Sequence, residues 1–257
     1  MTTESLPSHE LAAQAGPTLR LLDTFELRAR GTSVRLSAGL EHLVAFLALR
    51  SAPVPRRRLA GVLWPDTLEA HAAASLRSAL WRVHRAAGRF VVAEDTLVAL
   101  SPSVWVDTRV LIARAREVIE TSWPSVPATL PDPVELGADL LPGWTDDWVL
   151  VERERLRQLR LHALEQLSEL HLAAGRTAHA IEAALVAAAG EPLRETAQRC
   201  LIRAYIAEGN YASAIRTYHF YRRLLWTELG IEPSPQLIRL AAMLESTSAA
   251  SAPPNEH

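Results

Sequence analysis

Residues 40–100 read LEHLVAFLALRSAPVPRRRLAGVLWPDTLEAHAAASLRSALWRVHRAAGRFVVAEDTLVAL. Leu40, Leu43, Val44, Leu47 and Ala48 recur at helical spacing and mark one apolar face. Ser51 to Pro55 ends that helix, because proline has no N–H to continue it. A short second helix is predicted from Arg56 to Trp64. Asp66 and Glu69 have capping-box spacing, so a third helix is predicted from about Thr67 to Ala87. Its core stripe is Ala72, Leu76, Ala79, Leu80 and Val83. After Gly88, Phe90–Ala93 and Leu97–Leu100 are rich in β-formers and flank the polar turn Glu94-Asp95-Thr96. Three helices and a hairpin are the parts of a winged helix-turn-helix.

Working outward, residues 18–36 alternate apolar and turn-forming residues. Leu19, Leu21, Leu22, Phe25, Leu27, Val34 and Leu36 fit a small antiparallel sheet, interrupted at Asp23-Thr24 and Gly31-Thr32-Ser33. Residues 1–17 are polar and read as a loose tail. On the other side, Val110–Ile119 is amphipathic, four prolines over 122–133 require a loop, and Trp148–Ala174 is one long helical pattern. An internal repeat follows. Gly175 and Gly209, Ala180 and Ala214, Ile181 and Ile215, Leu172 and Ile206, and Leu167 and Leu201 are all spaced at the 34-residue period of tetratricopeptide helix pairs. Pro192 and Pro233 close the two pairs at different distances, which predicts a last helix about two turns longer. The expected fold is mainly α, an N-terminal α+β winged helix-turn-helix followed by an all-α tetratricopeptide-like domain. The boundaries are a tail at 1–17, a winged helix at 18–107, a helical-repeat domain at 108–246 and a tail at 247–257.

The formal net charge of −2 conceals an asymmetry. Residues 1–109 carry 13 arginines against 10 acids, and the remainder 14 against 19. A mildly basic first part and an acidic second part are compatible with nucleic acid at one end only. The chain has no lysine, a bias that a GC-rich genome produces along with abundant alanine and leucine. One cysteine, Cys200, rules out an internal disulfide and reads as a small core residue of a cytosolic protein. No apolar stretch reaches membrane-spanning length, and the N-terminus lacks a signal-peptide pattern.

Enzyme chemistry has no foothold. There is no G-x-S-x-G, no phosphate loop and no H-E-x-x-H, so no catalytic residue, metal ligand or cofactor is expected. Asp146, Asp147, Glu152 and Glu154 are either a metal or acid–base cluster or the acidic start of a helix, and the latter is simpler. Trp144 and Trp148 fit an anchor at the domain junction better than a ligand cage. Tyr211, Tyr218, Phe220 and Tyr221 serve either core packing or a peptide groove, with packing favoured.

LVAFLALRSAPVPRRRLAGVLWPD with SLRSALWRVHR resembles the winged-helix half of the actinobacterial SARP (antibiotic regulatory protein) family. GADLLPGWTDDWVLVERERL, EPLRETAQRCLIRAY and ELGIEPSPQL resemble the bacterial transcriptional activation domain that follows it there. The resemblance implies an OmpR-type winged helix, the DNA-binding module also found as a two-component effector domain. It implies sequence-specific activation of transcription in the cytoplasm, at the nucleoid. It further implies binding of double-stranded promoter DNA at direct repeats, self-association on that DNA, and recruitment of RNA polymerase through its sigma factor. The expected targets are antibiotic and other secondary-metabolite clusters.

With Leu76 at the centre of the buried face, the far face of the third helix is Ala74, Ser78, Trp81 and Arg85. Ser75, Arg77 and Arg82 flank it. Arg82 and Arg85 can fork onto guanine edges or pair with phosphates. Ser75 and Ser78 can reach phosphate or base, and Arg77 fits a phosphate clamp. The family pattern matches at Leu76, Arg77 and Leu80 and departs at Ala74 and Trp81. Trp81 either meets a thymine methyl or sugar or packs against the wing. Arg56, Arg57 and Arg58 are either phosphate contacts or a solvated cationic cluster. The acidic wing leaves at most Arg89 or Thr96 for DNA. The competing function is a helical-repeat adaptor whose winged helix binds protein, since winged helices do both.

Overall fold

The computed structural model describes residues 16–122 and 130–250, with side chains described to Leu244. Residues 1–15, 123–129 and 251–257 lie outside it, so the N-terminal tail and most of the proline-rich loop are not addressed. The chain divides into two compact units. One comprises residues up to Val110 together with Asp139–Arg153, and the other comprises Leu111–Ala138 and the chain from Glu154 onward.

The first unit opens with β1 (Thr18–Arg20), β2 (Glu26–Ala29) and β3 (Thr32–Ser33). β1 pairs antiparallel with β2, Leu19 facing Leu27, and β2 pairs with β3. A late strand, β7 (Trp105–Val106), joins the other edge of β1 in parallel. Helices α1 (Ala38–Ala48), α2 (Arg56–Leu63) and α3 (Glu69–Ala87) follow the sheet. Leu43, Leu47, Leu59, Leu76, Val83 and Phe90 are buried together with Leu19 and Leu27. β5 (Val91–Glu94) and β6 (Leu97–Leu100) form the hairpin, with Glu94 opposite Leu97. Its turn is two residues long, and Asp95 takes a φ of 45°, which aspartate tolerates better than most residues. β4 (Val54–Pro55) adds a third strand against β6. Pro55 is accommodated because the strand is short and at the sheet edge.

Asp107 ties the sheet to the next helix. Its carboxylate accepts the backbone N–H groups of Leu21, Leu22 and Thr108 at 2.7–3.0 Å. Burial lifts its carboxyl above the ordinary aspartate range, and those N–H groups pull the other way. Residues 139–153 return to the same unit, beyond the expected boundary at 107. Leu22 and Leu140 form an antiparallel bridge, and the Asp23 N–H donates to the Asp139 carbonyl at 2.7 Å. Trp144 and Trp148 then lock the segment to α1. Trp144 meets His42 edge-on at 4.3 Å, and Trp148 meets Phe46 at 5.2 Å. Asp146 lies 3.5 Å from His42, and the buried Glu152 pairs with Arg50 at 2.8 Å. These acids therefore work as local pairing groups, with the Asp146 carbonyl also opening the following helix.

In the second unit, α4 (Asp107–Glu120) enters from the first and is followed by a 3-10 turn, Pro133–Leu136. Then come α5 (Asp147–Ala173), which belongs to this unit from Glu154 onward, α6 (Thr177–Gly190), α7 (Glu195–Glu208), α8 (Tyr211–Leu229) and α9 (Pro235–Ala250). The repeat is structural. Leu167 and Leu201 are both buried, Ala180 and Ala214 are both fully buried, and Ile181 and Ile215 are both half-buried. Gly175 and Gly209 have φ of 71° and 82°, the left-handed conformation that ends a helix with least strain in glycine. Small alanines let neighbouring helices approach, and Ser168 hydroxyl donates to the Ala180 carbonyl at 2.9 Å.

Several expectations need correction. α3 begins at Glu69 with Leu68 as its N-cap, and no side chain caps it. Asp66 sits two residues before the cap, and Glu69 pairs with Arg57 instead. α8 has 19 residues against 14 in α6, five more, so less than the two extra turns expected from the prolines. The last helix continues to Ala250, past the expected start of a tail at 247. The aromatic cluster splits: Tyr218 and Tyr221 are core, whereas Tyr211 and Phe220 are exposed. Cys200 is a core residue whose thiol is pushed up to about 12 by burial, with Glu169 and Glu165 adding to the shift.

Candidate nucleic-acid interface

The buried stripe of α3 is Ala72, Leu76, Ala79 and Val83, with Leu80 half-buried beside it. That stripe turns the opposite row outward. Arg77, Ser78, Trp81, Arg82 and Arg85 are all exposed. Arg77, Ser78, Trp81 and Arg82 line one open hollow of about 420 Å³. The Arg82 side chain lies back along its own helix, its Nε 3.4 Å from the Ser78 carbonyl. Arg85 sets its guanidinium over the Trp81 ring, 5.4 Å from the centroid. Trp81 is 61% exposed, which decides against packing on the wing. Ser75 and Ala74 are half-buried and set back from the row.

Sequence reasoning missed His71. It is exposed one turn before Ser75, near the helix start where recognition helices meet base edges. The same helical wheel, carried one turn toward the N-terminus, places it on the outward side. His84 is exposed on the flank and was likewise overlooked.

The three arginines before α2 are not equivalent. The Arg56 N–H donates to the Thr96 carbonyl and its Nε to the Asp95 carbonyl, both at 2.8 Å. Arg56 thus staples the start of α2 to the wing tip, a structural use that the arginine run does not reveal. Arg57 pairs with Glu69 at 2.9 Å with both side chains mostly in solvent. Such a pair contributes about 0–1 kcal/mol and exchanges readily for another anion. Arg58 is exposed. Arg89 and Thr96 are exposed at the base and the tip of the wing, where Glu94 and Asp95 keep the turn acidic.

The comparisons with known proteins concern both units. Residues 135–244 match the bacterial transcriptional activator domain family. The regulatory protein AfsR of Streptomyces griseus is 37% identical over 89 residues, and AfsR of Streptomyces coelicolor 34% identical over 102. The chain is similar to regulators of the SARP family and carries a match to their bacterial transcriptional activator domain. The matches cover 35% and 40% of this chain but only 9% and 10% of the AfsR proteins, which are far longer. A solved structure titled Mycobacterium tuberculosis EmbR in complex with low affinity phosphopeptide superposes with a TM-score of 0.69. At 20% identity it covers 90% of this chain and 65% of EmbR, and so establishes a common fold. Among the described residues no helix is long and apolar enough to cross a membrane, and no cluster of His, Cys, Asp and Glu could hold a metal.

Proposed function

We propose that this chain is a sequence-specific DNA-binding activator of transcription. α3 reads the major groove through Ser78, Trp81, Arg82 and Arg85, with Ser75 at its margin, while Arg77 and Arg58 hold phosphates. Arg57 joins them once DNA displaces Glu69. Arg89 and Thr96 lie where a wing meets the backbone. The observation that carries the reading is the outward row of α3, where cations and a hydroxyl surround one open hollow on a helix whose other side is core. The family match adds the activating half. Two protomers side by side on direct repeats, recruiting RNA polymerase through its sigma factor at a secondary-metabolite cluster, complete the proposal. Pairing compensates for the modest positive balance of one winged helix.

The test is a titration of the upstream promoter duplex at rising salt. Arg57, Arg58 and Arg77 on phosphates give a log–log slope of about −3 per protomer, from ~0.9 per neutralised phosphate. Arg82→Ala removes specific binding while circular dichroism stays unchanged. Salt-independent binding, or unchanged operator affinity in the variant, favours an adaptor whose winged helix meets protein.

A further inference from the structure

Trp81 is the residue in α3 that ordinary protein chemistry accounts for least. It is a large ring, 61% exposed, at the centre of the outward row. Its neighbours in the hollow are Arg77, Ser78 and Arg82, two cations and a hydroxyl with no apolar side chain among them. A protein-binding hot spot keeps its aromatic anchor among apolar contacts that exclude water. Here the hollow around the ring is lined by cations and a hydroxyl, and Arg85 braces the ring at 5.4 Å. A stacked guanidinium loses little freedom on binding and keeps its edge N–H groups available for a second partner.

In a major groove, one base edge offers an apolar target, the 5-methyl group of thymine. An arginine edge in turn fits guanine O6 and N7. Trp81 and Arg85 are four residues apart, about 6 Å along the helix axis. That spans about two steps of a duplex rising 3.4 Å per base pair. We infer that Trp81, held by Arg85, selects a thymine by its 5-methyl group within two base pairs of a guanine read by Arg85. This rests on the proposed reading of α3 as the DNA-reading helix and names what that helix selects.

The experiment uses the full chain and a duplex selected from a random library by the chain itself. Each thymine of the selected duplex is replaced in turn by deoxyuridine, which lacks only the methyl group. One methyl removed from water is worth about a fourfold change in affinity. The expected result is about fourfold weaker binding at one thymine per half-site, next to or one pair away from a guanine. Trp81→Ala, with an unchanged melting temperature because the ring is exposed, should bind the thymine and deoxyuridine duplexes equally. The inference is overturned if no position distinguishes the two bases while binding stays selective and salt-dependent, a result that leaves the DNA-reading role intact. It is also overturned if Trp81→Ala keeps the discrimination, or if that variant loses all DNA binding, which would make the ring a positioning group. If no sequence is enriched and affinity is flat with salt, the reading of α3 falls and this inference with it.

Discussion

His171 predicts an acid-labile repeat domain. The residue ends α5 and is only 4% exposed, stacked on His179 at 5.2 Å. Among the described residues nothing lies within hydrogen-bond reach of its Nδ1. Burial, with Arg176 and His179 adding repulsion, pulls its imidazole down from 6.5 to about 4. The folded chain therefore holds His171 neutral, while the unfolded chain protonates it below its ordinary value. The stabilising difference is full above pH 6.5 and is lost as pH falls toward 4. At pH 5 the linkage amounts to about 2 kcal/mol, and below pH 4 to about 3 kcal/mol. Urea unfolding followed by far-ultraviolet circular dichroism at pH 7, 6 and 5 measures it. His171→Leu removes the titrating group and leaves a buried apolar side chain of fitting size. Between pH 7 and 5 the variant should lose about 2 kcal/mol less than the natural chain. Parallel losses in both proteins would refute the reasoning, because the acid sensitivity would then lie elsewhere.

Two further outcomes follow from local geometry. Asp107→Ala leaves the N–H groups of Leu21, Leu22 and Thr108 without their acceptor, and should cost about 3 kcal/mol, read as a lower urea midpoint of the first unit. Asp107→Asn keeps one acceptor oxygen and should cost about half as much. Gly209→Ala forces a Cβ into a φ of 82°, where nothing crowds the added atom, so backbone strain alone should cost about 1–2 kcal/mol. A melting temperature lowered by a few degrees is the expected readout, and an unchanged one would place the strain elsewhere.

What was legible in the sequence is what repeats locally. The stripe Ala72, Leu76, Ala79 and Val83 fixes both the burial of α3 and its outward row. The 34-residue period locates the helix pairs, and Gly175 and Gly209 mark their ends because few other residues adopt that backbone. Two-residue strands such as β4 and β7 carry no period to read. The apparent capping box fails for a physical reason. Thr67 hydroxyl turns back to the Trp64 carbonyl at 3.1 Å, which leaves Asp66 in the preceding turn and moves the helix start past it. The return of residues 139–153 to the first unit pairs Asp23 with Asp139, a contact no local pattern encodes. Its trace was the spacing of Trp144 and Trp148, one helical turn apart like His42 and Phe46, which they meet.

The same distinction governs the candidate interface. Helical geometry tells which side chains face outward, but not which are already engaged. Arg56, Arg57 and Arg58 are identical in sequence terms, yet one is stapled to the wing, one is paired with Glu69 and one is exposed. A salt slope near that of three phosphates, instead of one for every arginine in the winged helix, would follow from this division of labour. Arg56→Ala should then leave the salt slope unchanged while loosening the wing. Arg58→Ala should flatten the slope by about one while leaving stability alone. The opposite pattern would mean that the hydrogen bonds of Arg56 to the wing turn give way when DNA is bound.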